Sequence, residues 1–295
     1  MLQRLRDHLY RIRKEILLEP LNAGKRLHYL GRYLRWQGKA KYGREKWTIT
    51  FENGFKSYVH PFPDHDAGER NIWTRNVDWH DTELIRRVLR PGDTIVDAGC
   101  NVGNRTWALA DLIGGALLID AGASAVARTA ENRALNGLSP ERFVIVHKAV
   151  GAEPGKVVFT DLGGASTLNR VLAPGEQAPG TRTVELELTT LDNELRRLDM
   201  RPAYMKIDVE GQDLNALRGA MGTLRSGCVR LVKFEHNEGE PLPPIIELFG
   251  SLGWTIFTLD HGGRISEDAR LIATNMNLMA APPEVLAMLR KGEKA

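Results

Sequence analysis

Residues 93–103, Asp-Thr-Ile-Val-Asp-Ala-Gly-Cys-Asn-Val-Gly, read as a short buried strand that runs into an acid and a turn of small residues. Ile95 and Val96 supply the β-branched apolar run, and Asp97 closes it. Gly99 and Gly103, on either side of Asn101, remove side chains where a backbone turns tightly or approaches a ligand. The pattern predicts a helix from about Asn104 to Ile113 whose free N–H groups open on the same crevice.

A dinucleotide fingerprint needs Gly-x-Gly-x-x-Gly to bring backbone N–H groups onto a pyrophosphate, and this stretch has Gly-x-Asn-x-Gly instead. An acid at the strand end disfavours a phosphate and suits a cationic or hydroxyl-bearing ligand. The ammonium of the aminocarboxypropyl tail of S-adenosylmethionine is such a group. The competing reading is a tight strand-to-helix turn whose glycines serve packing alone. A second apolar run, Ala116–Ile119, ends in Asp120, which lies 23 residues after Asp97. That is the spacing at which a second strand delivers an acid to a ribose diol. Ser124 is expected to cap a helix that runs to Asn136 and stops at Gly137.

At 295 residues with 42% hydrophobic side chains, the chain can bury a sizeable core as one α/β unit with an appendage. Cys100 and Cys228 are too few for a disulfide framework or a zinc-ligand set, so a reducing compartment is expected. No run approaches the roughly 18 apolar residues of a membrane span. A cytoplasmic protein is the expectation. The net charge of +3 conceals an asymmetry: residues 1–46 hold 13 Lys or Arg against 4 acids, which leaves the remainder acidic.

In that basic region Leu2, Leu5, Leu9, Ile12 and Ile16 recur at helical spacing, and Leu27, Leu30 and Leu34 continue the habit beside Tyr29, Tyr33 and Trp36. Such stripes usually pack on a core or on a second subunit, and the second case would make a homodimer. The excess of cations also leaves room for an anionic membrane surface or a nucleic-acid backbone. Trp47–Phe51 and Phe55–Val59 flank Asn53-Gly54, a hairpin signal, and Pro61, Pro63 and Gly68 mark a loop. A helix is expected from about Asp81 to Leu89.

Further strands are expected at Arg142–His147, Lys156–Thr160, Thr183–Thr189, Ala203–Asp208, Val229–Glu235, Trp254–Leu259 and Leu271–Met279, and a helix at Pro243–Leu252. Ala149-Val-Gly151 forms a small-residue strand exit that could lie against an adenine. Gly163–Thr167 sits in a Gly- and Pro-rich connection. The alternation of strands and helices predicts a mostly parallel seven-stranded sheet with helices on both faces, in which Asp97, Asp120, Asp208 and Glu235 all reach the carboxyl edge.

A second motif, Lys206-Ile-Asp-Val-Glu-Gly-Gln-Asp213, repeats the order of strand, acid, glycine turn and helix. With Asp97–Gly103, Asn132, Asn136, the step Thr190-Leu-Asp192 and Arg218-Gly-Ala220, it resembles the FkbM-type methyltransferases over about residues 78–260. The resemblance implies a class I S-adenosylmethionine-dependent, Rossmann-like fold that moves a methyl group, usually to a hydroxyl of a sugar, glycan or secondary metabolite. It implies that Asp97, Gly99, Asn101 and Gly103 line the methionine end and that Asp120 holds the ribose. Asp208 and Glu210 match the acids of the family's Lys-x-Asp-x-Glu-Gly signature. Cys100 in place of Ala, and Ile119-Asp-Ala-Gly122 in place of Phe-Glu-Pro, depart from the family and bear on cofactor affinity.

The chain is thus expected to divide into a basic helical appendage (1–46), a β-hairpin and linker (47–77) and a methyltransferase domain (78–295). An alcohol acceptor must lose its proton, and Asp208, Glu210, Glu235 and His236 are the candidates at the right edge. His236 follows the expected strand Val229–Glu235 directly, which makes it an attractive base. Asp208 could also share a divalent ion with Glu235, but the spacing contains no diagnostic metal set, so no metal is assigned. Two other functions fit the same fold: an RNA methyltransferase that grips phosphate with residues 1–46, and a non-catalytic scaffold or membrane-peripheral protein.

Overall fold

The computed structural model describes residues 6, 8–19, 22–42, 45–61, 68–74, 78–166, 169–173, 175–236 and 242–292. Leu2, Leu5, Pro63 and Thr167, named above, lie outside these residues.

The main sheet grows from the motif read first. Strand β3 (Thr94–Ala98) pairs in parallel with β4 (Gly115–Asp120) on one side and with β9 (Pro202–Ile207) on the other. Beyond β4 lies β5 (Phe143–His147), and beyond β9 lies β10 (Leu231–Glu235), both parallel to their neighbours. Antiparallel β13 (Asn277–Ala281), β11 (Thr255–Leu259) and the two-residue β12 (Ile265–Ser266) complete one edge, giving the order β12-β11-β13-β10-β9-β3-β4-β5. Seven strands of five or six residues therefore form a mixed sheet in which five neighbours are parallel, with β12 as an eighth. The chain winds outward from β3 through β4 and β5, then returns to the other side at β9. That reversal between β3 and β9 opens a crevice at the carboxyl edge, the place where such sheets bind ligands.

Apolar side chains cover both faces, because a parallel sheet has no solvated side. Ile95, Ala116, Leu118, Tyr204 and Leu231 belong to one cluster, and Val96, Leu117, Ile119, Met205 and Val232 to the other. Alternation along the strands thus sends successive apolar residues such as Ile95 and Val96, or Leu117 and Leu118, to opposite layers.

Several local expectations are corrected. The helix after the first motif spans only Asn104–Trp107; Leu109 N–H then bonds Thr106 C=O and Leu112 N–H bonds Leu109 C=O, so the chain leaves in tighter turns. Trp107 causes part of this, since its ring folds back and donates Nε1–H to the Val102 carbonyl at 2.8 Å. Ser124 is not a cap. Gly122 holds that position in extended geometry with its N–H bonded to Asp120, and the helix runs Ala123–Leu135. Strands β7 (Gly155–Thr160) and β8 (Thr183–Thr189) form an antiparallel hairpin that joins the two-residue β6 (Ala149–Val150) in a separate three-stranded sheet. The last expected strand starts at Asn277; residues 269–274 are helical because the Asp268 carboxylate accepts the N–H groups of Arg270 and Leu271.

The N-terminal region also differs from the leucine pattern. A π-helical segment, Arg11–Leu17, precedes the helix Arg26–Tyr42. Tyr29, Tyr33 and Trp36 are the buried face of that helix, whereas Leu27 and Leu34 are exposed. Aromatic rings prevail because each brings more area and a polar handle. Trp36 donates Nε1–H to Glu69 at 2.7 Å, and Tyr33 meets Trp73 edge-on at 5.2 Å between centroids. Ile16, Tyr33, Trp36 and Trp73 share one hydrophobic cluster with Leu84, Ile85 and Leu289.

The hairpin β1 (Trp47–Thr50) and β2 (Lys56–Val59) is fastened to the core by side chains. Asn136 accepts the Lys56 N–H at 2.7 Å and donates to its carbonyl at 2.8 Å, and Asn132 accepts the Tyr58 N–H at 2.8 Å. Fully buried Asn132 also donates to Ser57 Oγ and to the Val102 carbonyl. These amides supply to the edge of β2 the partners that a further strand would otherwise provide.

Candidate active site

A cavity opens at the reversal point, walled by Asp97, Gly99, Asn101, Asp120, Ala149, Lys206, Asp208 and Glu210. Seven of the ten residues singled out in the sequence thus face one space. Gly103, Glu235 and His236 are outside its wall.

The first motif builds the floor by close approach of backbones. Gly99 has φ +69°, and a Cβ there would overlap the Asp208 carbonyl. Gly103 has φ +79°, and a Cβ would stand 2.6 Å from the Trp107 ring. Asn101 between them takes left-handed φ of 49°. Its N–H reaches Asp120 Oδ2 at 2.8 Å, its Nδ2 donates to the Ala165 carbonyl at 3.0 Å, and its carbonyl accepts from Thr129 Oγ1 at 2.7 Å. Left-handed backbone is costly for a side chain with Cβ, and Asn tolerates it better than most.

Asp97 is fully buried, with Oδ2 accepting from Thr106 Oγ1 at 2.8 Å. Its Oδ1 has no hydrogen-bond donor, Lys206 Nζ standing 3.6 Å away, and the Oδ1 of Asn101 is likewise without a partner. Two unsatisfied buried acceptors on one cavity wall are costly unless a ligand donates to them. The first motif therefore fits a donor-bearing group such as an ammonium.

At the end of β4, Asp120 turns back onto the loop: Oδ1 accepts the Gly122 N–H at 2.7 Å and Oδ2 the Asn101 N–H. Burial raises its pKa, and the two backbone donors only partly offset that. Each carboxylate oxygen keeps capacity for another donor, as a ribose diol requires. Ala149, buried in β6, stands on the same cavity wall.

Lys206 occupies the centre of the site. Its Nζ donates to the Gly99 carbonyl at 2.8 Å and pairs with Asp208 at 3.0 Å, so it joins the two motifs across adjacent strands. Burial opposes its charge, yet Asp208 and then Asp97 hold its pKa above the usual lysine value. Burial also pushes Asp208 up, but the Lys206 charge and hydrogen bond overcome this and leave it below its ordinary range.

Asp208, Glu210 and Glu235 come together, with one carboxylate oxygen of each inside a 4.8 Å separation. Their spacing along the chain gave no metal signature, but β9 and β10 are sheet neighbours, and the turn after β9 swings Glu210 towards both other acids. Oxygen ligands so placed could hold a hard divalent ion. Glu210 sits at left-handed φ of 47°. Burial, then the charges of Asp208 and Glu235, raise its pKa to about 7. His236, by contrast, donates its main-chain N–H to the Met276 carbonyl at 2.7 Å and is anchored at the β10–β13 border.

Three supporting residues were not given roles in the sequence reading. Thr106 fixes Asp97. Fully buried Asp213 accepts the Val209 N–H at 3.1 Å and the Glu235 N–H at 3.0 Å, which holds the turn carrying Glu210 against the end of β10. Arg105 bonds Thr82 at 2.8 Å and pairs with Asp78, and all three wall the cavity's far side. Asp213 stood in plain sight as the last acid of the second motif; the Arg105 group has no sequence signal, since Asp78 lies 27 residues upstream.

The sheet order, the glycine turn and the acids at the carboxyl edge define a class I methyltransferase fold. Residues 125–253 match the family model described as the methyltransferase FkbM domain. The match includes the second motif and begins after the first. Among solved structures, an FkbM methyltransferase from Methylobacillus flagellatus KT aligns with 14% identity and a TM-score of 0.45, covering 68% of this chain and 50% of that one. This chain therefore spans about half the length of that protein. A SAM-dependent methyltransferase from Agrobacterium tumefaciens aligns with 10% identity and a TM-score of 0.43, over 81% of this chain and 70% of that chain. An rRNA methylase from Streptococcus thermophilus aligns with 12% identity and a TM-score of 0.41, over 68% and 91%. None of the curated proteins matches. Among the described residues no helix is long and apolar enough to cross a membrane.

Proposed function

We propose that the protein is an S-adenosylmethionine-dependent O-methyltransferase acting on a hydroxyl of a sugar, glycan or secondary metabolite. The observation that carries this reading is a single cavity whose wall holds Asp97, Asn101 and Asp120 as acceptors for the cofactor beside Asp208 and Glu210, carboxylates that can take an alcohol proton.

In this reading S-adenosylmethionine supplies an electrophilic methyl group on a sulfonium. Asp97 and Asn101 would accept from its ammonium, Asp120 from its ribose hydroxyls, and Ala149 would lie against its adenine. Lys206 favours the ionised form of Asp208 and fixes the separation of the two motifs. Glu210 accepts the proton of the acceptor hydroxyl, and Asp208 and Glu235 raise its basicity. Displacement at a methyl carbon is in-line, so a rigid floor that aligns the acceptor contributes much of the rate.

Two measurements test the reading. Incubation of hydroxylated acceptors with methyl-labelled S-adenosylmethionine, followed by mass spectrometry, is expected to give an O-methylated product; transfer only to a nitrogen, a carbon or an RNA base would reject the O-methyl assignment. By calorimetry, Asp120→Ala is expected to weaken S-adenosylmethionine binding by about 1–3 kcal/mol, the range for losing a charged hydrogen-bond partner, while the fold persists. Unchanged affinity would remove Asp120 from the cofactor site.

A further inference from the structure

Residues 9–34 carry six of the twelve large hydrophobic side chains that are exposed among the described residues: Leu9, Tyr10, Leu17, Leu18, Leu27 and Leu34. Leu27 is 82% exposed and Leu34 is 56% exposed. In the helix Arg26–Tyr42 they lie seven residues apart, on the face opposite Tyr29, Tyr33 and Trp36, which are buried on the core. Gly31 and Gly38 lie on the same face as the two leucines and leave it low, with open space around each. The packing needs of this helix are therefore met by its aromatic face, and among the described residues nothing covers the leucine face.

The charges beside these side chains indicate what that is. Arg13, Lys14, Lys25, Arg26 and Arg35 are exposed and enter no ion pair among the described residues. The acids nearby are few, and Glu15 is turned inward onto Trp73 Nε1 at 3.0 Å. Cations interleaved with protruding leucines suit an interface that offers negative charge and an apolar interior together. A nucleic acid offers the first without the second, and a second copy of this basic region would bring like charges together.

We infer that residues 9–35 form a docking surface for an anionic lipid bilayer, with Leu27 and Leu34 entering the acyl boundary and the surrounding Arg and Lys meeting lipid phosphates.

The test is co-sedimentation of the full chain with vesicles of phosphatidylcholine alone and of phosphatidylcholine with phosphatidylglycerol. Binding is expected for the mixed vesicles only, and Leu27→Ser/Leu34→Ser is expected to weaken it roughly tenfold or more, as loss of two buried leucines implies. Both side chains are exposed, so circular dichroism and the melting temperature of the variant should match the parent. Arg13→Glu/Lys14→Glu, at a separate place on the surface, should also reduce binding, and added salt should reduce it further. Failure to bind mixed vesicles would overturn the inference. So would vesicle binding that the leucine variant leaves unchanged, or a dimer in sedimentation velocity that the leucine variant dissociates. Tight, salt-sensitive binding to a structured RNA that survives the leucine change would assign the surface to nucleic acid instead.

Discussion

Glu210 shows how a single residue can be legible in type and illegible in role. The sequence places it in a strand–acid–glycine motif as one of four candidate proton acceptors. In the fold, burial and then the charges of Asp208 and Glu235 push its pKa to about 7. If Glu210 is the base, turnover should rise with pH and level off above about 7, and Glu210→Gln should lose that limb and about a hundredfold or more in rate. A profile of kcat against pH checks both. The same shift has a sign in stability. An acid whose folded pKa exceeds its usual 4.5 binds a proton more tightly when folded, so the fold loses stability as pH rises from 4.5 through about 7. Glu210→Gln should therefore melt higher than the parent at pH 8 and gain nothing at pH 4. Equal melting differences at the two pH values would contradict the placement of Glu210. His236, another of the four base candidates, lies outside the cavity wall, so His236→Ala is the natural control for the rate measurement.

At the scale of elements, the family-like residues divide by what they hold. Asp97, Asn101 and Asp120 face the cavity, whereas Asn132 and Asn136 fasten the β1–β2 hairpin, and Asp192 accepts the N–H groups of Gly222 and Thr223 at the start of the helix Met221–Arg225. Asn132 serves the hairpin and the motif loop together, through Ser57 and Val102. Asn132→Ala leaves buried donors and acceptors on both without partners, and it should destabilise the protein by about 1–3 kcal/mol in urea unfolding. Hydrogen exchange should quicken at Tyr58 more than in β9. A uniform change across the two would mean that the hairpin is not held in this way. The helix Asn104–Trp107 teaches the opposite lesson: apolar periodicity continues to Ile113, yet the helix stops at Trp107, whose ring folds back onto the Val102 carbonyl, a contact no periodicity encodes.

For the whole molecule, the N-terminal segments are part of one cluster that reaches Leu289 near the other end of the chain. Trp36 is fully buried there and bonded to Glu69. Trp36→Ala should cost about 3–5 kcal/mol and lower the melting temperature of the entire protein in one transition. Two separate transitions, with the second unchanged, would show that residues 1–46 fold apart from the sheet.

The sequence by itself determined the alternation of strands and helices, the two glycine turns and the acids at the carboxyl edge. These are local: strand burial, turn geometry and residue spacing are written in runs of ten residues or fewer. Only the tertiary structure decided which acids meet. Asp208 and Glu235 approach because β9 and β10 pair in parallel register, and Lys206 joins the motifs because β9 lies beside β3. It also decided which face of the N-terminal helix is buried, since leucine and aromatic stripes are equally periodic and their partners lie far along the chain. Contacts between distant residues depend on sheet order and packing, which spacing along the chain does not specify.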